Sequence, residues 1–213
     1  MSFGRKWLSA AALLVTAFVG GGCGDDDKPV VQSGGGLRDP IDGNVACAQR
    51  VWPDRTAGMS VSKGEYSVTV DAAQLSFWAN SPGQKVRTGI LKGYYGWKVP
   101  AWVTFDRSLV AIVDPDQRDE ARLMFTEEDR DVSFDKLAQV VRFSGCTPKE
   151  EPYFSGEKQP PFTGFAGAMY TREPALCLRF EIVSERRGPS GHLVLPLGRE
   201  CEPAPSSATG ASS

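Results

Sequence analysis

The chain has 213 residues, with 24 Lys and Arg against 26 Asp and Glu. Its formal charge of −2, with no basic run longer than a pair, leaves no electrostatic footprint for nucleic acid and no polybasic patch for an anionic membrane. At 41% hydrophobic residues it can build one well-cored domain.

Arg5 and Lys6 open the chain, followed by the uncharged run Trp7–Val19 (WLSAAALLVTAFV) and by Gly20, Gly21 and Gly22. Basic, apolar and then small is the order of an export signal. The apolar run is shorter than the roughly 20 residues that span a bilayer, and it has no polar face with which to lie on a soluble core. Cys23 comes next, before Asp25, Asp26 and Asp27. It resembles the lipid-bearing cysteine of a bacterial lipoprotein lipobox. Gly21 and Gly22 supply its small residues, while Gly20 stands where that pattern carries an aliphatic one. The resemblance implies diacylglycerol on the Cys23 thiol, cleavage after residue 22, and a mature chain held at the outer face of the cytoplasmic membrane. Two acyl chains make such an anchor stable. The alternative is ordinary signal cleavage near Ala17 or Gly22, which would release the chain. Removing residues 1–22 takes away only Arg5 and Lys6, leaving 22 of the 24 basic residues against 26 acidic ones.

Residues 23–44 are rich in Gly and Asp without apolar periodicity, and read as a flexible tether of about 25 Å. A domain is expected over 45–202, followed by a low-complexity, disordered tail over 203–213 (PAPSSATGASS). Within the domain the period is two. Tyr66, Val68 and Val70 alternate with Ser67 and Thr69; Leu178, Phe180 and Ile182 with Arg179 and Glu181; Leu193, Leu195 and Leu197 with Val194 and Pro196. Each run predicts a strand with one buried face. Less regular strands are expected at 75–79, 86–91, 101–105, 108–113 and 137–143, separated by turn signals such as NSPGQ, VDPDQ and RRGPSG. DQRDEARLMF is the best helical candidate and reads as a short turn. Many short strands with frequent turns predict an all-β fold, an antiparallel β-sandwich of immunoglobulin-like or related type.

Besides Cys23 there are four cysteines, Cys47, Cys146, Cys177 and Cys201. An even set in an exported chain predicts two disulfides, and no two lie at the C-x-x-C spacing of a zinc site. If the strands at 137–143, 162–170, 176–183 and 192–197 form an antiparallel meander, Cys146 lies at one end and Cys177 and Cys201 at the other. Cys177–Cys201 and Cys47–Cys146 are then the expected pairs.

VVRFSGC (140–146), TGFAGAMY (163–170), CLRFEI (177–182) and LPLGREC (195–201) follow one another as in an uncharacterised group of actinobacterial exported and lipid-anchored proteins. GWKVPAWVTF through LVAIVD (96–114) resembles the preceding segment of that group. The resemblance spans about residues 86–201. It implies fold and location, and no activity.

His192 is the sole histidine, so a Ser–His–acid hydrolase would need it as base. No G-x-S-x-G elbow accompanies it. DPDQRDE (Asp114–Glu120) and TEEDRDVSFD (Thr126–Asp135) concentrate carboxylates, but from Asp114 the sixth and twelfth places are Asp119 and Phe125, not the Gly and Glu of a calcium loop. GYYGWKVPAW places Tyr95, Trp97 and Trp102 in one stretch. Exposed, these three would form a ligand platform; buried, they would fill the core. The sequence thus predicts a non-enzymatic cell-envelope lipoprotein, a binding or structural module. No catalytic residue, cofactor or metal is expected. Its partners are the membrane, through the lipid, and an envelope protein or a glycan. The rivals are an exported hydrolase using His192 or an acidic pair from Asp114–Glu120 or Glu127–Asp135, and a carbohydrate-binding module using Tyr95, Trp97 and Trp102.

Overall fold

The computed structural model describes residues 30–32, 38–50, 65–79, 91–125, 133–147, 150, 162–184 and 190–202. Cys23, the signal segment, the expected strand at 86–90 and the tail from 203 lie outside them, as does Glu127. The first strands are β1 (Val30–Gln32), β2 (Arg38–Pro40), β3 (Gly43–Val45), β4 (Glu65–Val70), β5 (Ala73–Trp78), β6 (Tyr95–Lys98) and β7 (Ala101–Thr104). There follow β8 (Ser108–Val113), β9 (Ala121–Met124), β10 (Val140–Ser144), β11 (Phe162–Phe165), β12 (Ala168–Thr171), β13 (Leu176–Ser184) and β14 (Ser190–Leu197). The only helical pieces among the described residues are short 3₁₀ turns. The fold is all-β.

Three sheets carry the domain, ordered β14-β13-β8-β10-β3, β11-β7-β5-β4 and β6-β12-β9, beside the small β1–β2 pair. The first two face each other. Phe77 of β5 stacks on Phe180 of β13, with ring centres 5.4 Å apart, and meets Phe143 of β10 nearly edge-on at 5.8 Å. Phe125 closes on Phe143 at 4.9 Å. Aromatic pairs of this kind contribute about 0.5–1.5 kcal/mol beyond the area they bury. The alternating residues meet here as expected, with Leu178, Phe180, Ile182 and Leu195 all within 1% of full burial. β8 does not alternate, because both its faces are covered. Leu109, Ala111 and Val113 join the main core, while Val110 and Ile112 join Ile41, Val140 and Val183 in a smaller cluster on the other side.

A single bent ribbon joins the second sheet to the third. β6 pairs with β12 from Tyr95↔Thr171 to Lys98↔Ala168, and β7 with β11 from Ala101↔Phe165 to Thr104↔Phe162. Val99 N–H donates to Gly167 O across the gap at 3.0 Å, so the register never slips. Pro100 sits at the bend, where its missing N–H is no loss, and its carbonyl accepts Trp78 N–H at 3.1 Å. Gly167 is required there, since a Cβ would collide with the Phe125 ring.

Three expectations are corrected. DQRDEARLMF divides into a 3₁₀ turn at Pro115–Gln117 and then β9, whose Ala121 and Leu123 are buried with period two. The tether does not run to residue 44, because β2 and β3 form within it and β3 lies parallel to β10, Val45 opposite Phe143. That parallel pair makes the first sheet mixed rather than wholly antiparallel. The expected meander also fails, because β10 neighbours β8 and β3, and β12 neighbours β6 and β9; of the strands it was to contain, β13 and β14 alone pair as consecutive neighbours.

Both expected disulfides are nevertheless formed. β3 and β10 run in the same direction, so Cys47 and Cys146 leave the sheet at one end, with Cα atoms 4.8 Å apart. Cys177, on β13 opposite Pro196, meets Cys201 beyond β14 at a Cα separation of 5.7 Å.

Candidate functional site

The unbroken ribbon register decides where the three aromatics go. Residues of one parity share a face, which puts Tyr95 and Trp97 on one side and Trp102 on the other. Trp97 is 3% exposed, and its Nε1–H donates to Thr171 Oγ1 at 3.0 Å. The chain crosses over its ring at Gly198, where φ is +71° and a Cβ would stand 2.6 Å from the indole. Trp102 is half-buried on the outer face, opposite Gly164, whose lack of a side chain leaves room for its indole. Tyr95 is half-buried. The three do not assemble into one exposed platform, so the carbohydrate-binding arrangement is corrected. Pro100 bends the ribbon without changing its parity.

His192 is exposed on β14, opposite Glu181 of β13. It hydrogen-bonds to none of the described residues. Nearby, Asp114 caps the Pro115–Gln117 turn by accepting Asp116 N–H at 3.0 Å. Its other oxygen accepts Arg179 Nε–H at 2.8 Å, and the Asp116 carboxylate lies 3.9 Å from the same guanidinium. The Arg179 hydrogen bond holds the Asp114 carboxyl below its ordinary range against the opposing effect of burial, and the Asp116 N–H adds to the lowering. These carboxylates are therefore engaged in a turn and an ion pair. Among the described residues no three His, Cys, Asp or Glu side chains converge as metal ligands. Of the second acidic run only 133–135 is described, and there Asp135 pairs with Arg172 at 3.4 Å.

A cluster that the sequence reading passed over lies on the outer face of the third sheet. Arg122 of β9 is opposite Tyr170 of β12. The 3₁₀ turn Phe134–Lys136 packs over them, burying Phe134, Leu137 and Tyr170 against Leu91, Tyr94 and Met124. Tyr94 and Phe134 stack at 4.1 Å with their planes 4° apart. The guanidinium carbons of Arg122 and Arg172 lie 4.9 and 5.0 Å from the Phe134 ring centre, and Arg172 is also 5.5 Å from that of Tyr94. Such cation–π contacts are worth about 0.5–2 kcal/mol, most where water is excluded. Arg172 Nε–H donates to Asp119 O at 2.7 Å. Burial lowers the Arg122 pKa, with the positive charge of Arg172 adding to that, while Asp135, Asp119 and Asp42 act in the opposite sense.

No family model, curated protein or solved structure matches this chain. In ARLM the arginine is legible only as an outward strand position; that Phe134 would fold over it carries no local signal.

Proposed function

We propose that this chain is an exported, non-catalytic binding or structural module of the cell envelope, tethered to the outer face of the cytoplasmic membrane by lipid on Cys23. The observation that carries the reading is the pair of closed disulfides, Cys47–Cys146 and Cys177–Cys201, in a chain that opens with a basic, apolar and small-residue segment. Disulfides persist in oxidising compartments, and that segment is the order an export signal requires. No helix among the described residues is long and apolar enough to cross a membrane. The resemblance of residues 86–201 to exported and lipid-anchored actinobacterial chains supports the same location. The binding role is supported by the exposed edge of the Arg122–Arg172 cluster.

The test is intact mass and membrane partitioning of wild type beside Cys23→Ser. The reading requires a wild-type mass that begins at Cys23 and carries acyl chains, with the variant lost from the membrane fraction. An unmodified mass, soluble in both, would overturn it.

A further inference from the structure

Arg122 holds its charge in a place that gives it no direct counter-charge. The residue is 7% exposed. Its Nη1–H donates to Ala121 O at 2.9 Å, and its buried Nε has no hydrogen-bond partner. Among the described residues no carboxylate lies within 4.0 Å of its guanidinium. A buried guanidinium with an unused donor is costly unless something pairs with it. The Phe134 ring offsets part of that cost, but a ring face leaves the in-plane donors free.

The surrounding charges set what could complete the site. Arg172 flanks the same ring with its guanidinium half-exposed. Its one carboxylate partner, Asp135, is 71% exposed at 3.4 Å, and such surface pairs are weak enough to exchange. Asp119 contributes its backbone carbonyl to Arg172, while its carboxylate, like that of Asp42, influences Arg122 only at longer range. Among the described residues one carboxylate pairs directly with these two guanidiniums, and Arg122 itself has no direct acidic partner. A planar carboxylate matches the in-plane donors of a guanidinium.

We propose that Arg122 and Arg172 form a binding site for a single carboxylate group, presented by an acidic protein side chain or by a small organic acid. The site gives the binding module proposed above a ligand class, yet does not depend on Cys23. The Nε–H of Arg122, assigned through its own backbone in the full ¹⁵N-labelled chain, reports on it directly. Sodium acetate, titrated against sodium chloride at matched ionic strength, is expected to move that resonance saturably. Arg172→Gln, a half-exposed change, is expected to weaken the acetate response about tenfold, the loss of one charged hydrogen bond. A blocked tripeptide with a central Glu forms the second arm. Tighter binding than acetate assigns the carboxylate to a protein side chain, and weaker binding assigns it to a free acid. A shift that is linear in acetate and matched by chloride would overturn the site, as would an unchanged response in Arg172→Gln. Either failure would leave the anchoring reading standing, since that is measured by mass.

Discussion

Cys47–Cys146 should stabilise the domain more than Cys177–Cys201, and the structure supplies the magnitude. The first bridge spans a sequence separation of 99 residues and the second one of 24. In the chain-entropy account, loops of these sizes contribute about 4.7 and about 3.5 kcal/mol. They do not overlap along the chain, so the contributions add to about 8 kcal/mol, comparable with the whole stability of a typical domain. Burial widens the gap. Cys47 and Cys146 are 5% and 0% exposed, so replacing them also leaves a cavity in the core, whereas Cys177 and Cys201 are half-buried. The first bridge further ties the three-residue β3 to β10. Urea unfolding of Cys47→Ala/Cys146→Ala beside Cys177→Ala/Cys201→Ala, each against wild type, measures the difference. The first pair should lose at least about 1 kcal/mol more than the second. Equal losses or the reverse order would refute the reasoning. Removing all four cysteines should leave a chain that is largely unfolded at 25 °C.

The two-residue turn between β4 and β5 places Asp71 at φ 49° and Ala72 at φ 59°, a left-handed pair in which glycine is preferred at the second place. Ala72→Gly should therefore raise stability by about 0.5–1 kcal/mol, read as a higher urea midpoint with unchanged slope. Asp114 has its folded-state pKa lowered, chiefly by the Arg179 hydrogen bond. Its contribution is present above the unfolded carboxylate value of about 4 and disappears as the pH falls through the lower folded value. Asp114→Asn should then be less stable than wild type by up to about 1 kcal/mol at pH 7 and equal to it near pH 2, by urea unfolding at both. A difference that persists at the acid end would assign the effect to the turn cap rather than to the charge.

The buried faces of β4, β13 and β14 were legible in the sequence because a strand settles each side chain's face by parity alone. Leu178, Phe180 and Ile182 needed no partner to be read as inward. The disulfide pairs were legible for a related reason, since they depend only on which end of a sheet each cysteine reaches. Cys47–Cys146 came out correctly even though the meander behind it did not form. Trp97 and Trp102 could also have been separated by parity, had Pro100 been read as a bend within one strand rather than a break.

What the sequence by itself determined was the alternation of buried and exposed positions, the all-β class and the even cysteine set that closes it. Only the tertiary structure decided the rest. Gly43–Val45 pairs with Val141–Phe143, a ribbon crosses from one sheet to another at Pro100, and Phe134 folds down between Arg122 and Arg172. These unions are made between segments far apart in the chain or joined through a turn, where local periodicity is silent. The face of a side chain is set by its immediate neighbours, but what covers that face is set by the closure of the whole core.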